Sequence, residues 1–172
     1  VSDSSGNAAT EVIRTVNVVE INNISVTVNV HQGWNLVSLP ISSATNTNYL
    51  TLFPDADIYT LFSYNGSKYQ LETKLVAGKG YWLRFPSAYT YTFNVNEVNN
   101  TSVTVNVNQG WNLVSLPISS ANNTNYLTLF PDADIYTLFS YNGSKYQLET
   151  NLVAGKCYWL RFPSAYTYTY SD

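Results

Sequence analysis

The residues that could carry acid–base or nucleophilic chemistry are rare in this chain, which has one histidine, His31, and one cysteine, Cys157. The chain is duplicated at an offset of 77 residues (108 − 31), and the duplicate positions are Asn108 and Gly80. Because the duplicate positions lack the reactive group, a catalytic site that uses His31 or Cys157 could exist in one copy at most. Such a site would also need a partner group within hydrogen-bonding distance. We expect that the protein is not an enzyme. Cys157 is expected to be packed, with an intermolecular disulfide as the alternative.

Carboxylates that could bind a metal ion occur in a Pro-Asp-Ala-Asp loop that is present in both copies. They are Asp55 and Asp57, repeated as Asp132 and Asp134. Hard cations such as calcium prefer oxygen-rich loops, but two carboxylates without a third spaced ligand fall short of a calcium motif. We expect solvated turn residues and no cofactor, and these four residues remain the candidates for a metal site.

Aromatic side chains are the strongest candidates for binding, since the chain contains 15 Tyr and 4 Trp. Tyr and Trp combine an apolar ring with a polar group and could form a stacking platform for sugar rings. The surface candidates are Tyr64 and Tyr69, which flank an Asn-Gly turn, and their duplicates Tyr141 and Tyr146. The alternative is that the aromatic residues are structural. The alternation pattern assigns five of them to the core, namely Trp34, Trp82, Tyr89, Tyr91 and Phe93.

Asparagine-linked glycosylation requires an Asn-x-Ser/Thr triplet, and six asparagines fulfil it. They are Asn23, Asn65, Asn99, Asn100, Asn122 and Asn142. Such triplets also arise by chance in a chain rich in Asn, Ser and Thr. Their use therefore depends on the cell that makes the protein.

Composition excludes two classes of partner. The net charge is −3 at pH 7 and only 11% of the residues are charged. Without a cluster of Lys and Arg, the chain lacks the basic surface that nucleic acids require. It also lacks an apolar run near 20 residues and a basic amphipathic helix, so we expect no membrane insertion. The expected partners are copies of the chain itself, flanking domains of the same protein, and glycans.

The duplication covers residues 17–93 and 94–170 almost letter for letter. Residues 33–41, Gly-Trp-Asn-Leu-Val-Ser-Leu-Pro-Ile, return unchanged as residues 110–118. Repetition of this kind is typical of arrays of modules. The eight differing pairs are Val19/Asn96, Ile21/Val98, Ile24/Thr101, His31/Asn108, Thr45/Asn122, Lys74/Asn151, Gly80/Cys157 and Phe93/Tyr170.

Alternating apolar and polar residues predict β-strands in both copies. In residues 89–95 the aromatic side chains and Val95 share one face, and in residues 103–107 the three valines do. We predict that these segments form a hairpin around Asn99-Asn100, and that residues 14–20 pair equivalently with residues 26–30 around Asn22-Asn23. A strand passed from one copy to the next would then make a stiff joint near Ala88.

Three further elements follow in each copy. The strand beginning at Gly33 is apolar on both faces, which predicts a central position ending at Pro40. Residues 49–53 predict one short helical turn stopped by Pro54. Asn65-Gly66 predicts a two-residue type I′ hairpin between strands at 58–64 and 67–71.

Two resemblances to known families accompany these patterns. The first 19 residues, with the pattern V-x-D-x-x-G-N-x-A followed by R-T-V-x-V, resemble the last hairpin of a bacterial immunoglobulin-like cell-surface domain. Residues 33–85 and 110–162 are similar to a repeat of secreted and surface-attached prokaryotic proteins. That resemblance implies an accessory or structural surface module without catalytic residues. The chain departs from the repeat pattern at Cys157, where the pattern has Gly.

The expected fold is all-β, with two tandem homologous small β-sandwich or barrel units, each with a short helical turn, sharing a continuous strand at their junction. The expected divisions are a leader at 1–14, a first unit at 15–88 and a second at 89–172. The expected function is a non-enzymatic, extracellular structural or spacer module of a cell-surface protein, adhesin or fibre. The alternatives are a filament subunit that donates its N-terminal strand to a neighbouring copy and a carbohydrate-binding module.

Overall fold

The structure is a computed structural model that describes residues 21–98, 102–119, 121 and 124–171. These residues form an all-β fold with two similar halves, which confirms the fold class expected from the sequence. Within these ranges no helix combines the length and the apolar character needed to cross a membrane. The leader at 1–14, and the strand expected at residues 14–20, lie outside the described residues.

Six strands and one helical turn make up the first half. They are β1 (Ile21–Val30), β2 (Gly33–Ser38), α1 (Tyr49–Leu52), β3 (Phe62–Tyr64), β4 (Tyr69–Leu71), β5 (Gly80–Phe85) and β6 (Tyr89–Val98). The second half repeats the same order. Its elements are β7 (Ser102–Val107), β8 (Gly110–Ser115), α2 (Tyr126–Leu129), β9 (Phe139–Tyr141), β10 (Tyr146–Leu148), β11 (Cys157–Phe162) and β12 (Tyr166–Ser171).

Each half consists of a four-stranded sheet and a two-stranded ribbon with a hydrophobic core between them. The sheets have the orders β2-β5-β3-β4 and β8-β11-β9-β10, and the ribbons are β1-β6 and β7-β12. All the pairings are antiparallel. Phe53 and its duplicate Phe130 lie in the two cores with no exposed surface. Since burying a large apolar side chain is worth roughly 1.5–3 kcal/mol, these layers stabilise each half.

The apolar side chains of the alternating ribbon strands face the core, as the sequence predicted. In β1 the buried residues are Val26, Val28 and Val30, and the aromatic residues of β6 pack against the same core from the neighbouring strand. The intervening Thr27 and Asn29 are exposed. One wet face and one buried face are what a two-stranded ribbon over a sheet requires.

The hairpin predicted between residues 89–95 and 103–107 is wrong, and the strand predicted at residues 14–20 lies outside the described residues. Residues 89–98 pair with β1, in a register that joins Val30 to Tyr89 and Ile21 to Val98, and β7 pairs with β12. Asn22-Asn23 lies within β1, so it is not a hairpin turn. The predicted boundary after Ala88 therefore separates β6 from its hydrogen-bonding partner. The division of the chain into domains otherwise stays a prediction.

Strand β2 is an edge strand of its sheet, and the prediction of a central position is wrong. Its apolar character on both faces has a different cause. Val37 packs in the core of the first half, whereas Leu36 packs against Leu113 of the second half. The second half thus covers the face that an isolated sheet would leave in water.

Asn35, within the repeated Gly-Trp-Asn segment, is a buried polar residue that fixes the turn before β2. Its side-chain amide donates to the carbonyl oxygens of His31 and Gly33 at 2.8 and 3.0 Å, and its oxygen accepts from the His31 N–H at 2.8 Å. Asn112 makes the equivalent bonds in the second half. The turn therefore satisfies its buried polar groups internally.

The short helical turn is confirmed, and the hairpin after it differs from its prediction. Helix α1 begins after Asn48, whose side-chain oxygen accepts from the Leu50 N–H at 2.9 Å as an N-cap. The loop between β3 and β4 has four residues, and Gly66 has a φ of 95° while Asn65 has no positive φ. A type I′ turn needs positive φ at both central residues, so this turn is not of that type.

The buried tyrosines predict how stability depends on alkaline pH. Burial raises the pKa of the hydroxyls of Tyr81 and Tyr158, which are each 2% exposed. In the unfolded chain tyrosine ionises near pH 10. Above that pH the unfolded chain loses protons that the folded protein keeps. These two hydroxyls should therefore lower the free energy of unfolding above about pH 10, by about 1.4 kcal/mol per pH unit for each. The buried Cys157 thiol, whose pKa burial also raises, should add a fall that begins at about pH 8.5.

Denaturant titrations between pH 8 and 11, with tyrosinate absorbance of the native state, would test this dependence. The variant Tyr81→Phe should show a shallower fall, because it has lost one of the buried hydroxyls. If Tyr81 and Tyr158 ionise near pH 10 while the protein stays folded, the inference from their burial is wrong.

Candidate functional site

The outer faces of the two four-stranded sheets meet between the halves of the molecule. Leu36, Leu113 and Cys157 form a buried cluster there. On either side, an aromatic ring of one half contacts a ring of the other edge to face. Tyr64 lies 5.2 Å from Trp159, and Trp82 lies 5.3 Å from Tyr141, between ring centroids. The halves are therefore joined by an aromatic interface with a small aliphatic centre.

Two open clefts flank this interface, and each is lined by six aromatic side chains from both halves. Cleft A has a volume of about 440 Å³ and is lined by Tyr64, Tyr69, Trp111, Phe139, Tyr146 and Trp159. Cleft B has a volume of about 600 Å³ and is lined by Trp34, Phe62, Tyr69, Trp82, Tyr141 and Tyr146. Both volumes lie in the range of roughly 300–1,000 Å³ that is usual for small-ligand pockets.

Tyr69 and Tyr146 line both clefts, and the two side chains come from strands β4 and β10 of different halves. Partial burial raises the pKa of the Tyr69 hydroxyl, and the neighbouring Trp82 side chain acts in the opposite direction. Each of these two tyrosines keeps 52% of its surface exposed. Their hydroxyls therefore provide polar groups at the centre of an otherwise apolar surface.

The clefts carry no charge among their described lining residues, which are all Phe, Trp or Tyr. The chemical possibilities of such a surface are limited. Aromatic faces attract the weakly positive C–H groups of a ligand, and phenol hydroxyls and indole N–H groups at the ring edges can form a few hydrogen bonds. A neutral ligand with an apolar face and polar edges suits this surface.

The structure places all four sequence-predicted tyrosines, Tyr64, Tyr69, Tyr141 and Tyr146, in these clefts. It brings together residues from both halves that are far apart in the chain. The sequence pattern found them because each pair flanks an Asn-Gly turn, where a strand end is exposed. It did not indicate that the two pairs lie next to one another.

Sequence reasoning missed the tryptophans of the clefts, and the assignment of Trp34 to the core is wrong. Trp34 is 41% exposed and its duplicate Trp111 is 40% exposed. For Trp82 a sequence signal was present, because it lies two residues before Arg84 in a strand and so shares the face of that arginine. The structure adds that Trp34 pairs with Arg84 across the strands. Arginine is seldom buried without a partner, so the strand positions on the same side as Arg84 belong to the outer face of the sheet.

The aspartates considered for metal binding have protein partners. Asp57 forms an ion pair with Arg84, and Asp55 accepts a hydrogen bond of 3.1 Å from the Tyr91 hydroxyl. Asp134 and Asp132 repeat both contacts in the second half. The described part of the chain contains no cluster of three or more His, Cys, Asp or Glu that could hold a metal ion.

The other reactive residues lie apart from the clefts' linings. His31 is exposed, and its ring lies against Gly143 of the other half. Cys157 is 1% exposed at the centre of the interface, and burial raises the pKa of its thiol. A thiol with a raised pKa is a poor nucleophile at neutral pH.

The glycosylation candidates fall into two groups. Asn23 and Asn65 are exposed, and Asn142 is half-buried. In the two Asn-Gly-Ser turns the asparagine oxygen accepts from the following serine and lysine backbone, at 3.0 Å in each case. Asn99, Asn100 and Asn122 lie outside the described residues. Occupancy of all six sites stays a prediction.

Comparisons of the chain with protein families, with curated proteins and with solved structures find no match. Fold and site together define a class: an all-β tandem module whose halves enclose two aromatic clefts.

Proposed function

We propose that this chain is a non-enzymatic carbohydrate-binding module of an extracellular, cell-surface protein, and that it binds neutral sugars in clefts A and B. The observation that carries the proposal is the pair of open clefts lined by aromatic side chains alone. A monomer that exposes a contiguous apolar patch commonly uses it for binding. Sugar rings fit this patch because one face presents C–H groups and the edge presents hydroxyls.

The extracellular setting rests on the sequence. The low share of charged residues and the six glycosylation triplets are consistent with it. The resemblances to surface-protein repeats and to an immunoglobulin-like hairpin point in the same direction. No comparison supplies further support.

The spacer function that the sequence favoured receives less support from the geometry. Ile21 pairs with Val98, and Ser171 pairs with Ser102. Residues 98 and 102 are four peptide steps apart, so Ile21 and Ser171 lie within about 25 Å of each other. An in-line spacer needs its ends on opposite sides. The outermost described residues of the two ribbons are close together, and this closeness does not favour an in-line spacer.

Filament formation by donation of the N-terminal strand stays a hypothesis, because the donor residues lie outside the described part of the chain. Deleting residues 1–14 and measuring assembly by size-exclusion chromatography would test it. Unchanged assembly would remove it.

Binding of neutral oligosaccharides to the whole chain, measured by calorimetry after a glycan screen, tests the proposed function. We expect two sites per chain. Trp34→Ala should remove the site in cleft B, and Trp111→Ala the site in cleft A, so each leaves one site. Tyr69→Ala should weaken both sites by about tenfold or more, because this ring lines both clefts.

The matched control is Tyr59→Asn. Tyr59 is 74% exposed outside the clefts and has a φ of 59°, a conformation that asparagine adopts readily. This variant should bind like the native protein. Absence of binding in the screen, or unchanged binding by Trp34→Ala/Trp111→Ala, would refute the proposal. Binding of proline-rich peptides instead of sugars would also refute it, since such peptides use aromatic grooves as well.

A further inference from the structure

The contacts between the halves are reciprocal, and this reciprocity defines a twofold axis within one chain. The Ser38 N–H donates to the Gly155 carbonyl oxygen at 3.2 Å, and the Ser115 N–H donates to the Gly78 carbonyl oxygen at 3.2 Å. Each residue of the second contact is the duplicate of a residue of the first: Ser115 is the duplicate of Ser38, and Gly78 is the duplicate of Gly155. The rings of Tyr64 and Trp82 follow the same rule with Trp159 and Tyr141. Such an isologous interface is that of a C2 dimer.

Residues that contact their own duplicates lie on the axis. Ser42 and Ser119 are one such pair, with a distance of 3.0 Å between their hydroxyl oxygens. Leu36 and Leu113 are a second pair, and Gly80 and Cys157 are a third. A Cβ atom placed on Gly80 would overlap the Cys157 sulfur and lie 2.8 Å from the Cys157 Cβ. Near this point of the axis there is therefore room for one side chain.

Gly80 is not required by its backbone, since it lies in strand β5 without a left-handed φ. The equivalent strand position in the second half holds a cysteine. The factor that excludes a side chain at Gly80 is therefore the cysteine facing it. The sulfur fills the space that the glycine leaves, and it packs with Leu36 and Leu113 in the shared cluster.

We propose that this interface is a repeat-to-repeat docking surface that selects an unlike partner: a unit with Gly at the axis pairs with a unit with Cys. Two second units from different chains would bring two cysteines into one space, and overpacking of this kind is destabilising. Two first units would leave a cavity, which is destabilising as well. The single difference between the copies at the axis thus favours pairing within the chain over pairing between identical units.

Exchanging the two residues in the full chain tests this proposal. The variants are Gly80→Cys, Cys157→Gly and the swap Gly80→Cys/Cys157→Gly, all studied in reducing buffer so that no disulfide forms. Each single variant should lower the Tm, by roughly 3–10 °C for Gly80→Cys and by less for Cys157→Gly. The swap should recover most of the native Tm, because the axis makes the two positions equivalent.

Recovery is expected to be incomplete, since His31 and Asn108 also differ at the interface. Asn108 donates to the Asn65 carbonyl oxygen at 3.2 Å, whereas His31 lies against Gly143. Size-exclusion chromatography with light scattering gives the second readout. The native chain and the swap should be monomeric. Gly80→Cys should gain nothing from exchange between chains, because every unit of that variant carries a cysteine and each possible pair brings two cysteines to the axis.

The decisive comparison is between the swap and the sum of the two single variants. If the swap loses as much Tm as the sum, the two residues act locally and the proposal is overturned. If Gly80→Cys fails to fold, the swap still decides, because it restores one side chain to the axis. Sugar binding does not enter this test, so its result is independent of the proposed function.

Discussion

Replacing Phe130 by alanine is expected to lower the free energy of unfolding by about 3–5 kcal/mol. Phe130 has no exposed surface and contacts three rings of the second half. The ring centroids of Phe162, Tyr168 and Tyr170 lie at 5.9, 5.3 and 5.9 Å. Truncation removes these contacts and leaves a cavity that a ribbon and a sheet cannot close. Denaturant unfolding followed by tryptophan fluorescence would measure the loss.

The duplicate Phe53→Ala provides a matched comparison, because its contacts with Phe85, Tyr91 and Phe93 repeat those of Phe130. Both variants should lose similar stability. Tyr136→Asn, at a residue that is 74% exposed, is the surface control and should change stability by less than about 0.5 kcal/mol. A loss below about 1 kcal/mol for Phe130→Ala would contradict the packing described for this core.

The second large effect is expected at Gly155, where the chain of one half approaches the ribbon of the other. Gly155 has a φ of 80°, and a Cβ atom there would overlap the Val28 side chain and lie 3.4 Å from Val26. Gly155→Ala therefore combines an unfavourable backbone conformation with a clash between the halves. We expect a loss of roughly 2–5 kcal/mol in the free energy of unfolding.

Gly110→Ala separates these two causes. Gly110 has a φ of 90°, but a Cβ atom there would have no neighbour within 4 Å. This variant should lose only the conformational part, about 1–2 kcal/mol. The difference between the two variants reports on packing between the halves. If Gly155→Ala loses no more than Gly110→Ala, the halves do not pack as closely as described.

Much of the fold could be predicted because its determinants are local. The alternation around Val26, Val28 and Val30 identified the buried face of β1 without any knowledge of its partner. The spacing of the apolar residues in 49–53 and the stop at Pro54 defined the helical turn in the same way. These features depend on residues within a few positions of each other, which is the range that a sequence pattern reports.

The partners of the ribbon strands could not be predicted, because the duplication gives each ribbon strand two possible partner strands of nearly the same sequence. Residues 102–107 could form a ladder with β6 or with β12. The aromatic residues of these two strands differ at one position, Phe93/Tyr170. A short turn at Asn99-Asn100 favoured the nearer strand. Packing of β6 on the core that contains Phe53 favours the other arrangement.

The candidate site was predictable in part. The tyrosines beside the Asn-Gly turns were identified because a turn exposes the ends of its strands. The tryptophans were assigned to the core because the alternation of the strands was taken to place them on the inner face. Trp34 is instead exposed beside a cleft that exists only where the second half meets the first, and no pattern within one copy contains that contact.

The sequence by itself determined that the protein is a duplicated all-β chain, that the valines of β1 and β7 face inward, and that the tyrosines beside the Asn-Gly turns are not in the core. Each of these follows from neighbours along the chain. Only the tertiary structure decided which strands pair, that the two aromatic clefts adjoin across Tyr69 and Tyr146, and that Gly80 faces Cys157. These depend on contacts between copies that are nearly identical, so their geometry is set by packing in three dimensions.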